Sequence, residues 1–116
     1  MSAEVAIAYL ALARLGCIVL PLFADFGVAA IAARLNDAQA VAVITTDGCL
    51  RRGRSMPMKT VLDDVAREVP SLRHIVVASR LCTSIAMQPS RDVSWRDVCA
   101  RGSDAFAAIE VPAEHP

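Results

Sequence analysis

Short apolar runs alternate with stretches of helical period along this chain, and that alternation constrains the fold more than any other feature. Residues 40–45 (AVAVIT) and 74–78 (HIVVA) are continuous and rich in β-branched side chains, the pattern of strands covered on both faces. Residues 17–22 (CIVLPL) form a similar run and are expected to be a further strand. Between these runs lie helical segments. Residues 4–15 (EVAIAYLALARL) hold no helix breaker and end at Gly16, a good residue for closing a helix. Val28, Ile31, Ala32 and Leu35 recur at i, i+3, i+4 and i+7, and Asn36-Asp37 closes that helix. Thr60 can cap a third helix with Asp63 three residues on; Val61, Leu62, Val65 and Val69 line it and Pro70 stops it. Ser94 can cap a last short helix through Ala100, carrying Trp95 and Val98.

Helix and strand in strict alternation imply parallel strands joined by right-handed crossovers. The expected fold is α/β, a three-layer, mostly parallel sheet flanked by helices. Residues 1–101 carry this pattern; residues 102–116 read as an irregular tail, and residues 80–92 as an irregular connection. Three strands make a small sheet, and a helix precedes the first of them. Both facts suggest part of a larger α/β domain.

The first helix is apolar nearly all round, so a membrane span has to be weighed. Arg14 falls in the middle of the run from Val5 to Leu22, and Gly16 and Pro21 divide it. A central arginine costs roughly 2.5–3.5 kcal/mol on insertion scales. Gly16-Cys17 resembles a lipoprotein cleavage site, but Arg14 stands where an apolar residue is needed. No membrane association is expected, and the location expected is the cytoplasm. With 55% hydrophobic residues and a mean hydropathy of +0.45, the 116-residue chain can offset its ordering entropy, which excludes intrinsic disorder. Twelve basic and twelve acidic residues cancel, and only 4% of residues are aromatic, so no nucleic-acid partner is expected. Cys17, Cys49, Cys82 and Cys99 include no C-x-x-C pair and are expected to be free, mostly buried thiols.

Ligands in open α/β sheets gather at the carboxyl ends of the strands. The segment after residues 40–45 is TTDGCLRRGRS, with Arg51, Arg52 and Arg54 clustered around Gly53. Three guanidinium forks can close on one phosphate, or they can decorate a solvated loop; residue types alone leave both open. Asp47 can order this loop or form an Asx-turn, the latter being preferred. Asp63-Asp64 are read as first-turn residues favoured by the helix dipole. No P-loop, G-x-G-x-x-G turn, catalytic triad, carboxylate dyad or metal-ligand spacing is found. His74 and His115 have no evident nucleophile to serve.

EVAIAYLALARLGCIVLPLFADFG, then RLNDAQAVAVITTDGCLRRGR and SMPMK, resemble the adenylate-forming acyl-CoA synthetases, most nearly the AMP-forming acetate–CoA ligases. LRHIVVASR, SRDVSW and EVPAEHP continue the same register, so the likeness covers nearly the whole chain. The resemblance implies an early part of a large N-terminal α/β domain, from an enzyme that uses Mg-ATP to make an acyl-adenylate and passes the acyl group to coenzyme A. The ATP phosphate loop and the catalytic lysine of that family are not among these residues, so residues 102–116 would lead toward the loop and this chain alone is expected to be inactive. The same resemblance implies that Arg51 and Arg54, with Arg52 and Gly53 between them, contact the 3′-phospho-ADP part of coenzyme A. It implies also that Phe23 flanks the coenzyme's adenine. Two glycines usually follow that aromatic; here they are Ala24 and Asp25, adding bulk and a carboxylate facing an anionic ligand. No catalytic or metal-binding residue is expected. A non-catalytic module that self-associates through exposed apolar surface or sheet edges is the alternative.

Overall fold

A computed structural model describes residues 2–116. The chain divides into two units. One runs through Pro21 and takes in Gly102–Pro116; the other is Leu22–Arg101.

In the first unit, helix α1 (Ala3–Arg14) ends as its sequence suggests. Gly16 takes a left-handed φ of 66°, and the Gly16 and Cys17 amides donate back to the carbonyls of Ala13 and Leu12. That pair of bonds is the glycine-terminated Schellman closure. Residues 102–116 form no helix or strand but are tied to this end of α1. The Ile109 amide donates to the Arg14 carbonyl at 2.9 Å, and the Arg14 guanidinium donates to the Phe106 carbonyl at 2.9 Å. His115 Nε2 lies 2.9 Å from the Gly16 carbonyl, where it can only donate. Val111 sits so close to Gly16 that an added Cβ would meet its methyl at 3.1 Å.

In the second unit, helix α2 (Val28–Asp37) is followed by strand β1 (Ala42–Thr46) and a hairpin of β2 (Cys49–Arg51) and β3 (Arg54–Met56). Helix α3 (Met58–Glu68), strand β4 (His74–Ala78), strand β5 (Asp92–Ser94) and helix α4 (Trp95–Ala100) complete it. The main sheet is parallel, in the order β1-β4-β5. Ala42 to Thr46 pair with His74 to Ala78 in register, and Ile75 to Val77 pair with Asp92 to Ser94. Ile31, Ala32 and Leu35 of α2 close one core with Val43, Leu62, Val65, Val69, Leu72, Ile75 and Val77. The helical spacing read from α2 is thus its buried stripe. Ser94 caps α4, its hydroxyl accepting from the Asp97 amide at 3.0 Å. The architecture is the expected α/β arrangement of a parallel sheet flanked by helices.

Four expectations are corrected. Residues 17–22 are not a strand: Pro21 has no amide to give a ladder, Ile18 is 67% exposed, and among the described residues no strand pairs with the run. The third parallel strand is β5, three residues from the stretch around the irregular connection. Thr60 does not cap α3, which begins two residues earlier behind Pro57, so Asp63 lies in its second turn. The thiols are free but not buried: Cys17, Cys82 and Cys99 are exposed and Cys49 is half-buried. No helix among the described residues is long and apolar enough to cross a membrane.

Candidate functional site

The parallel sheet delivers the chain to the site. At the carboxyl end of β1, Asp47 is 2% exposed. Its carboxylate accepts from the amides of Gly48 (2.8 Å), Arg80 (2.8 Å), Leu81 (3.1 Å) and Thr83 (3.0 Å), and from the Thr83 hydroxyl at 3.3 Å. Burial pushes its pKa up, and the Arg80, Leu81, Thr83 and Gly48 amides outweigh that, leaving it at about 2. Asp47 therefore does more than turn its own backbone. It fixes the loop after β4 to the base of the hairpin. The Thr46 hydroxyl donates to the Gly48 carbonyl at 3.1 Å, bracing the same corner.

From this base the hairpin projects past the carboxyl ends of the strands. Leu50 pairs with Ser55 and Arg51 with Arg54, so two guanidinium-bearing residues face each other across the last rung. The turn between them is Arg52-Gly53, both left-handed, with φ of 49° and 75°. Positive φ at both central residues is the type I′ pattern of two-residue hairpins, which suits Gly53 and strains Arg52. Like charges placed opposite one another destabilise a strand pair. Arg51, Arg52 and Arg54, with Ser55 and Met56, line one open groove of about 610 Å³. The expected cluster is thus brought together, on the side of the sheet where α/β proteins bind ligands.

An ion pair ties the residues before α2 to the hairpin. Asp25 Oδ2 lies 3.0 Å from Arg51 Nη2, with both side chains about half exposed. The Arg51 hydrogen bond holds the Asp25 carboxyl below the usual carboxylate range. Arg52 and Arg54 have no ion-pair partner among the described residues. Phe23 is 69% exposed and meets Phe26 edge to face, with ring centroids 5.5 Å apart. Phe26 in turn lies under the Arg34 guanidinium of α2, 4.3 Å from its ring centroid. Phe23 is anchored at one edge and open at the other.

A second charged cluster was not legible in the sequence. Lys59, 1% exposed, places Nζ 2.7 Å from Asp63 and 2.8 Å from Asp92, and donates to the Ala86 carbonyl at 3.1 Å. Arg91 joins Asp92 at 2.6 Å and also pairs with Asp63. Burial pushes Asp92 up, but Arg91, the Gln88 amide and Lys59 bring it to about 2. Hydrogen bonding to Asp92 raises Arg91 in turn. Asp63 is therefore an ion-pair member, not a dipole-stabilising first-turn residue, while Asp64 pairs with Arg67 at 3.0 Å. The i,i+4 spacing of Lys59 and Asp63 was the one readable signal.

The sequence model of the family described as "AMP-binding enzyme" matches residues 1–112. The chain belongs to that family. This AMP-binding family chain is 40% identical over 116 residues to an acetyl-coenzyme A synthetase of Rhodopirellula baltica, covering all of this chain and 17% of that protein. It is 39% identical over 118 residues to an acetyl-coenzyme A synthetase of Escherichia coli K12, again across the whole chain and 18% of the relative. Among solved structures it is similar to acetoacetyl-CoA synthetase from Streptomyces lividans. The TM-score is 0.84 at 27% identity, over 99% of this chain and 17% of that one. The chain thus spans less than a fifth of the length of these relatives. The likeness extends to the fold, a parallel sheet flanked by helices.

Proposed function

We propose that this AMP-binding family chain is part of an acyl-CoA synthetase that joins a carboxylic acid to coenzyme A through an acyl-adenylate, and that its own contribution is one wall of the coenzyme A nucleotide site. The observation that carries this reading is the groove lined by Arg51, Arg52 and Arg54 beyond the carboxyl ends of the strands, with two guanidiniums in no ion pair among the described residues. A dianionic 3′-phosphate on the coenzyme suits such a groove, because guanidinium forks give paired, charge-assisted hydrogen bonds to phosphate oxygens. Phe23 offers an exposed ring for the adenine face. Residues 102–116 would lead toward the ATP phosphate loop, and Mg-ATP would bind outside these 116 residues. A cytoplasmic location accords with this reading.

Isothermal titration of the chain with coenzyme A and with dephospho-coenzyme A tests it. The expected result is tighter binding of the form that carries the 3′-phosphate; equal affinities would overturn the role of the hairpin. The 116 residues alone are expected to release no pyrophosphate from ATP with acetate and coenzyme A, measured against a heat-killed control.

Self-association is the second reading, and one observation favours it. On α1, Val5, Ile7, Tyr9 and Leu10 are each more than half exposed, apolar surface spread around the helix of the kind that recruits a partner. Size-exclusion chromatography at increasing concentration decides; a monomer throughout rejects it.

A further inference from the structure

Asp25 engages one of the three guanidinium groups that line the groove. It is the only carboxylate paired with the hairpin arginines among the described residues, its Oδ2 lies 3.0 Å from Arg51 Nη2, and both partners remain open to solvent. A carboxylate and a phosphate present the same oxygen geometry to a guanidinium fork, so they compete for the same donors. Arg54 has no such competitor, and Asp25 reaches Arg52 through its charge alone, without an ion pair. An anion entering the groove therefore finds two arginines ready and the third already engaged.

We propose that Asp25 is a specificity-determining residue, an internal stand-in for a phosphate that occupies Arg51 and must be displaced, or tolerated, by any phosphomonoester bound at the hairpin. This rests on the hairpin being an anion site, as proposed above, and adds a direction: Asp25 lowers affinity for the phosphate group and leaves affinity for the rest of the nucleotide unchanged. The pair is exposed, so its own strength is small. Removing it frees Arg51 and also deletes a negative charge within a few ångströms of the incoming dianion. These effects add.

The test is a titration of the 116-residue chain, its Asp25→Asn, Asp25→Gly and Arg51→Ala variants, and the Asp25→Asn/Arg51→Ala double variant with coenzyme A and dephospho-coenzyme A. Far-ultraviolet circular dichroism confirms that each is folded. Freed Arg51 is expected to tighten coenzyme A binding by about 3- to 10-fold in both Asp25 single variants, from the small worth of an exposed pair plus one removed like charge. Dephospho-coenzyme A should change by less than about 2-fold, and the gain relative to an Arg51→Ala chain should shrink in the double variant to the part that comes from the removed charge alone. Unchanged or weaker coenzyme A binding in Asp25→Asn and Asp25→Gly overturns the proposal, making Asp25 at most a residue that positions Arg51. An equal gain for both ligands overturns it as well. If the native chain does not distinguish the two ligands but Asp25→Asn does, the role of Asp25 stands and the native coenzyme site reading fails. If neither chain distinguishes them, both are rejected.

Discussion

Two clusters in the second unit draw on the same residue types and use them oppositely. In the buried cluster, Lys59 and Arg91 face Asp63 and Asp92, charges cancel, and Lys59 and Asp92 are almost sealed from water. In the hairpin, Arg51, Arg52 and Arg54 crowd one groove, and among the described residues a single carboxylate, Asp25, pairs with them. Burying charges is tolerable only when they are paired and hydrogen-bonded. An excess of one sign survives only at the surface, where it is free to meet an anion. The lesson is that saturation separates structure from function here: the satisfied cluster pins α3 to β5, and the unsatisfied one awaits a ligand.

The largest effect that would break this contrast comes from the buried side. Lys59→Met should leave Asp92 short of a partner in the interior and destabilise the fold by about 3–5 kcal/mol, read from urea unfolding. A loss below about 1 kcal/mol would mean the cluster is not sealed as described. Next comes acid. Asp47 and Asp92 both titrate at about 2 in the folded chain against roughly 3.9 when unfolded. A depressed carboxyl pKa contributes stability that is complete above the unfolded value. That stability should therefore be intact above pH 5 and fall between about pH 4 and pH 2, by roughly 2 kcal/mol for each group. Flat unfolding midpoints across that window would contradict the assignment.

The hairpin should respond in the other currency. Arg54→Ala is expected to weaken coenzyme A binding by about 5-fold while leaving the unfolding midpoint within about 0.5 kcal/mol, since an exposed arginine has little to stabilise. Smallest of all is Arg67→Ala, which removes an exposed i,i+3 pair with Asp64 and should change stability by about 0.3 kcal/mol and binding not at all.

How much of this could be read from the residues follows from the same distinction. The α2 stripe and strand β4 were legible because burial writes itself as period. Residues 74–78 were delimited to the residue, and Ser94 announced its helix by its own hydroxyl. The run at residues 17–22 misled because apolar content says a segment wants cover without saying that a strand provides it. Strand β5 was hidden because three residues carry no period, and its Asp92 looks like a loop residue until Lys59 is seen beside it. The arginine cluster was visible as composition, and Gly53 hinted at its turn, but the hairpin that aligns Arg51 with Arg54 was not. Asp47 was read as a local turn. Besides the adjacent Gly48 amide, its partners are the amides of residues 80, 81 and 83, more than thirty positions away and beyond the reach of any short-range pattern.

A phosphate is expected to land on the three hairpin arginines. Arginine side-chain Nε–Hε resonances of the labelled chain, followed by NMR during titration with adenosine 3′,5′-bisphosphate, report it directly. Arg51, Arg52 and Arg54 should shift together and saturably, while Arg67 and Arg91 stay still. Movement of Arg67 alongside the hairpin, or a hairpin that does not respond, would contradict it.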